Sequence, residues 1–109
     1  MAPKTAGQMI QEMPGAFRPE RAARASAVIQ FQISGEGGGD WYVTIKNKTC
    51  TLTEGIADKP NATVSMSNDD YVALGTGEMS TMKAFTSRRI KTSGDLSLLK
   101  RMERWFVRS

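Results

Sequence analysis

The chain has 109 residues, 39% of them hydrophobic and 24% charged, with a net charge of +4, one cysteine and no histidine. This length supports a single domain, residues 1–109, with a core of its own, and the balance of apolar to charged residues excludes a disordered chain. Without histidine there is neither the usual metal ligand nor the commonest proton-transfer group near neutral pH, so hydrolase triads built on histidine are excluded.

Thr5 and Gln8 stand at capping-box spacing, and Ala6, Met9, Ile10 and Met13 then share one helical face until Pro14 and Gly15 stop the helix. The same opening stretch, MAPKTAGQMIQEMPG, has no apolar run long enough for a secretory signal or a membrane span. Pro19 begins a short helical turn, with Phe17 just ahead of it as an apolar anchor.

The period then changes to two. In AVIQFQIS, Ile29, Phe31 and Ile33 face one way and Gln30 and Gln32 the other; GEGGGD makes a hairpin loop, and WYVTIK repeats the alternation with Trp41, Val43 and Ile45. After a turn at Asn47–Lys48, TCTLTEG gives a weaker apolar face of Cys50 and Leu52. ATVSMS places Ala62, Val64 and Met66 opposite Thr63, Ser65 and Ser67. Strands with one apolar and one polar face predict a sheet covered on one side only, hence an α+β architecture.

Helical signals return with Ser67 and Asp70 at capping-box spacing and end at Gly75 and Gly77. In EMSTMKAFTS, Met79, Met82 and Phe85 recur every third residue and form an apolar stripe if the segment is helical. RRIKTSG reads as a short basic edge strand carried by Ile90 and Thr92. Asp95 caps a last helix, DLSLLKRMERWFVR. Leu98, Leu99, Met102, Trp105 and Phe106 fill one arc of it and Lys100, Arg101, Arg104 and Arg108 another.

No catalytic constellation assembles. The G-x-G of GEGGG lies inside a hairpin rather than opening onto a helix N-terminus, where phosphate would be held. Asp69 and Asp70 sit in a helix first turn, which favours negative charge on its own account. Cys50 has threonines on both sides and no adjacent cation to activate a thiolate. The reading is therefore binding rather than enzymatic catalysis, with no cofactor and no metal.

Charge is uneven along the chain. Lys83, Arg88, Arg89, Lys91, Lys100, Arg101, Arg104 and Arg108 face only Asp95 and Glu103 in the last third, which points to an anionic partner such as a membrane surface. Nucleic-acid binding through this basic third ranks behind the other readings, and no nucleic-acid partner is expected. The strand aromatics are not interleaved with basic residues as a stacking platform requires. The ending WFVRS is not the small–basic–leucine signal of peroxisomal import, so a reduced cytoplasm is the expected location.

Several strings together resemble the sterol carrier protein type 2 family, in particular its small stand-alone bacterial and archaeal members. They are MPGAFRPERAA followed by a Q-F strand, GGDWYVTIKN, TLTEGIADKPNATVSMSNDDYVALGTGEMSTMKAF and IKTSGDLSLLKRM, and they cover roughly residues 8 to 106. The sequence departs from the family pattern before the last strand, where TSRRIK replaces a Gly-Lys-like turn. The resemblance implies a five-stranded mixed sheet covered on one face by about four to five helices. An apolar tunnel would lie between the layers, gated by the C-terminal helix and open to fatty acids, acyl-CoA, sterols or other lipids. Seven methionines among 109 residues suit a lining that must adapt to its contents.

The lining expected on this basis is Phe31, Ile33, Val43, Leu52, Val64, Met66, Leu74, Met79, Met82, Phe85, Leu99, Met102 and Phe106. Arg88, Arg89, Arg101, Arg104 and Arg108 are the candidate contacts to lipid head groups or an anionic bilayer. The expected partner is a lipid or fatty acyl ligand, the protein itself being a monomer or homodimer. The alternative is an interaction or dimerisation module of the same fold acting through Trp41, Tyr42 or Trp105.

Overall fold

The structure is a computed structural model and describes residues 4–106. In chain order the elements are α1 (Ala6–Gln11), α2 (Met13–Ala16), α3 (Pro19–Ala22), β1 (Ala27–Ser34), β2 (Gly39–Lys46), β3 (Thr49–Glu54) and β4 (Ala62–Ser67). They continue with α4 (Asn68–Thr76), α5 (Thr81–Thr86), β5 (Lys91–Gly94) and α6 (Leu96–Met102), and a 3₁₀ turn follows at Glu103–Trp105. The five strands form one mixed sheet in the order β3-β2-β1-β4-β5, in which β1 and β4 are parallel and all other neighbours antiparallel.

Local chemistry explains most boundaries. Thr5 and Gln8 close the expected capping box on α1, Ser67 accepts from the Asp70 N–H at the start of α4, and Gly77 ends α4 in the left-handed conformation. Asn47 and Lys48 both have positive φ, 51° and 61°, which gives the two-residue β2–β3 hairpin the twist its strands need. Proline at the end of α1 does not stop the chain as a helix. Pro14 sits in the first turn of α2, a position that needs no N–H, so a second short helix follows directly.

Period-two alternation survives as register. Phe31 lies beside Trp41 on β2 and Val64 on β4, Ile29 beside Val43 and Ala62, and Ile33 beside Met66. Together with Ala6 and Ile10 of α1, Ala84 of α5, Leu98 of α6 and Trp105, these residues form one buried cluster. Helix α1 approaches closely enough that a Cβ on Gly7 would stand 2.9 Å from the Trp41 ring, a spacing only glycine permits.

The opposite face is polar, and Ser65 donates to Gln32 across β1 and β4 at 3.1 Å. Gln30 departs from the expected solvated row, being only 1% exposed. Strands β3 and β4 run in the same direction, so residues 55–61 must cross back over the sheet, and they lie on Gln30. Its amide nitrogen donates to Trp41 O and Gly55 O at 3.0 Å each, and its oxygen accepts from Ala57 N at 2.7 Å. Asn61 ends the crossover by pairing twice with Val28, N–H to O at 2.8 Å and Oδ1 from N–H at 2.7 Å.

Two expectations about helices need correction. Ser80, not a residue before Met79, caps α5 by accepting from Lys83 N, so Met79 precedes the helix and does not share a face with Met82 and Phe85. The last helix is also shorter than its periodicity implies. It gives way to a 3₁₀ turn after Met102, and Phe106 forms an isolated antiparallel bridge with Phe17. Arg18 N donates to Trp105 O at 2.7 Å, and the rings of Phe17 and Phe106 lie 5.6 Å apart, so a tertiary contact has ended the helix.

Candidate functional site

The apolar layer between sheet and helices contains most of the expected lining. Phe31, Ile33, Val43, Val64, Met66 and Met79 are buried in it, and Leu52, Leu74, Leu99, Met102 and Phe106 are half-buried against it. Met82 and Phe85 are not part of it. They are 75% and 44% exposed, because the start of α5 at Thr81 turns Ala84, fully buried, towards the core instead. Ile10, Ile29, Ala84 and Leu98 lie in the same layer beyond the expected lining. Ile10 and Ile29 carry the periodic signal in the sequence, whereas Ala84 is too small to register as an apolar anchor.

Two of the surface concavities have defined linings among the described residues. One, of about 240 Å³, is lined by Ala73, Glu78, Met79, Lys83, Ser87 and Arg89, and Met79 connects it to the buried cluster. The other, of about 380 Å³, lies beside the β2–β3 turn and is lined by Ala23, Arg24, Ala25, Ser26, Lys46, Asn47 and Lys48.

The candidate cationic contacts are dispersed. Arg88 and Arg89 follow α5, and Arg89 pairs with Asp70 at 3.2 Å. Arg101 reaches Asp95 at 3.9 Å, the backbone oxygen of Arg104 accepts from Arg21 at 3.3 Å, and Arg108 lies outside the described residues. Trp41 and Trp105, named for an interaction surface, are 7% and 4% exposed and belong to the core.

The titratable groups suit structural roles. Burial pushes the Cys50 thiol up from 9.0 to about 11, which makes it a poor nucleophile. Hydrogen bonds from the Ser97 hydroxyl and the Leu98 N–H, with Arg101 nearby, hold Asp95 below the usual carboxylate range, as expected of a helix cap. Among the described residues no group of three His, Cys, Asp or Glu side chains is placed to hold a metal ion, and no helix is long and apolar enough to cross a membrane.

A mixed five-stranded sheet whose apolar face is covered by short helices is the architecture of sterol-carrier domains. The model of the SCP-2 sterol transfer family matches residues 8–107, and the chain belongs to that family. A hydroxysteroid dehydrogenase-like protein 2 from Bos taurus is 35% identical over 79 residues, covering 72% of this chain and 19% of that protein. The chain thus spans about a fifth of the length of the curated relatives it matches. Among solved structures, palmitated SCP2L2 from Aedes aegypti is similar with a TM-score of 0.74 and 23% identity over 88% of each chain. The stereoselective inverting sec-alkylsulfatase of a Pseudomonas species is similar with a TM-score of 0.81 and 13% identity, over 94% of this chain and 16% of that one. At these identities the structural likenesses establish the fold.

Proposed function

We propose that the chain is a non-catalytic carrier that takes up long-chain fatty acids, acyl-CoA, sterols or other apolar lipids between its sheet and helices. The observation that carries this reading is family membership over residues 8–107. The palmitate held by the Aedes aegypti protein of the same fold supports an acyl chain as one ligand class.

Physical constraints favour a space that opens only when filled. An empty apolar cavity costs about 24 cal/mol per Å³, so a pocket of roughly 300 Å³ would cost about 7 kcal/mol. A small domain has only about 5–15 kcal/mol of stability in total. Pliable residues that fill the space when no ligand is present avoid that cost. Met66 and Met79 lie inside the layer and Met102 at its edge, and methionine's unbranched side chain gives way at small expense. A bound chain burying ten methylenes contributes about 8 kcal/mol before ordering costs, enough to offset the rearrangement.

Native mass spectrometry of freshly purified protein, followed by displacement of a fluorescent fatty acid with unlabelled lipids, tests the reading. A co-purifying lipid mass or saturable displacement by long-chain acyl ligands is expected. Protein without bound lipid that binds none of these classes contradicts it.

A further inference from the structure

Helix α5 is attached to the molecule unlike the others. No other single element packs extensively against it, and its inward anchors are the fully buried Ala84 and the neighbouring Met79. Left-handed residues flank it, Gly77 with φ 84° and Arg88 with φ 61°. Its outer side carries Met82, 75% exposed, and Phe85, 44% exposed, two of the four large apolar side chains that the described surface leaves exposed. Exposed residues of this size on one short helix mark a contact surface.

Charge identifies the partner. Residues 80–91 contain Lys83, Arg88, Arg89 and Lys91 and no acidic residue. Lys83 and Arg88 have no ion pair among the described residues, while Arg89 pairs with Asp70. Apolar side chains ringed by cations fit an interface of acyl chains beneath anionic head groups. The concavity beside α5, with Glu78, Lys83 and Arg89 at its walls, has Met79 at the boundary of the buried layer. A surface docked here would therefore lie next to a route into that layer.

We propose that α5 is the element that meets an anionic lipid surface. Met82 and Phe85 enter the acyl region, and Lys83 and Arg88 meet the head groups. The inference deepens the carrier reading by naming the face on which lipid is exchanged. It moves membrane contact away from the last helix, where Arg101 is partnered by Asp95 and the helical arc ends at Met102.

Co-sedimentation with phosphatidylcholine vesicles, with and without about 30% phosphatidylserine, tests the proposal on four proteins. These are the wild type, Met82→Ser/Phe85→Ser, Lys83→Gln/Arg88→Asn, and Arg101→Gln/Arg104→Gln as a comparison, each checked for folding by circular dichroism. Wild type is expected to prefer the anionic vesicles and to be released by salt. The apolar variant is expected to lose binding roughly tenfold or more. The Lys83/Arg88 variant should lose about fivefold per cation removed, and the Arg101/Arg104 variant less than either. No vesicle binding by wild type, binding unchanged in both α5 variants, or a wild-type dimer that Met82→Ser/Phe85→Ser dissociates would each overturn it. Uptake of fatty acid from vesicle-free solution is measured on the same samples and should be unchanged in Met82→Ser/Phe85→Ser. A protein that docks but takes up no fatty acid marks failure of the carrier reading alone.

Discussion

The Ala57 N–H donates to the side-chain oxygen of Gln30 at 2.7 Å and so ties the β3–β4 crossover to the underside of the sheet. The Gln30 amide nitrogen completes the clamp on Trp41 O and Gly55 O. Replacing Gln30 by Ala or Leu removes the side-chain partner of all three backbone groups at a buried position. A loss of about 2–3 kcal/mol is expected in urea denaturation, far above the effect of Gln32→Ala on the same face.

Met79 and Met82 are three residues apart, yet one is buried and the other exposed. Met79→Ala should destabilise the fold by about 2–3 kcal/mol through the cavity it leaves. Met82→Ala should stay within about 0.5 kcal/mol of wild type. Similar losses at both positions in thermal and urea unfolding would restore the common stripe that the residue spacing suggests.

Gly94 ends β5 with φ 85°, and a Cβ there would stand 2.4 Å from Asn61 O. The same Asn61 oxygen accepts from Asp95 N at 2.9 Å. Gly94→Ala is therefore expected to cost at least about 2 kcal/mol in chemical denaturation, combining backbone strain with a collision that only a main-chain shift relieves. The β4–β5 amides should lose protection in hydrogen exchange before those of the β1–β2 hairpin.

Asp95 has a lowered pKa, first through the Ser97 hydroxyl and then through the Leu98 N–H. A folded-state value below the unfolded one gives a contribution that is present above the unfolded pKa, near 3.8. That contribution is lost as pH falls through the folded value. Acid titration followed by amide NMR should show α6 fraying in that range. Asp95→Asn keeps an acceptor for Leu98 but loses the charge, so its stability should be flatter there.

Half-burial on β3 raises the Cys50 thiol to about 11. Relative to its ordinary value of 9.0, about a hundredth as much thiolate is present near neutral pH. Reaction with a disulfide reagent at pH 8 should be slow in the folded protein and rise to the rate of an ordinary thiol in denaturant.

Much of this architecture was legible in sequence because its causes are local. Alternation in AVIQFQIS, WYVTIK and ATVSMS places Ile29, Phe31, Val43 and Val64 on the covered face as observed, and Thr5, Ser67 and Asp95 cap the helices they precede. What was misread depends on distant contacts or on one cap. Gln30 is buried because residues 55–57 return across it, which period two within its own strand does not encode. The last helix stops because Phe17 captures Phe106. Met82 and Phe85 fall outside the layer for a local reason: Ser80 is a good N-cap, and a helix that starts after it leaves Met79 outside. The composition of the layer was readable, but how closely its side chains fill it depends on packing across all the elements.

Entry of an acyl chain between sheet and helices is read out by isotope-filtered NMR with ¹³C-labelled palmitate. Contacts from the labelled chain to the side chains of Ile33, Val64 and Met66, with saturable shifts across that layer, are expected. Shifts confined to surface residues such as Ile56 and Met82, or none at all at saturating palmitate, would contradict such entry.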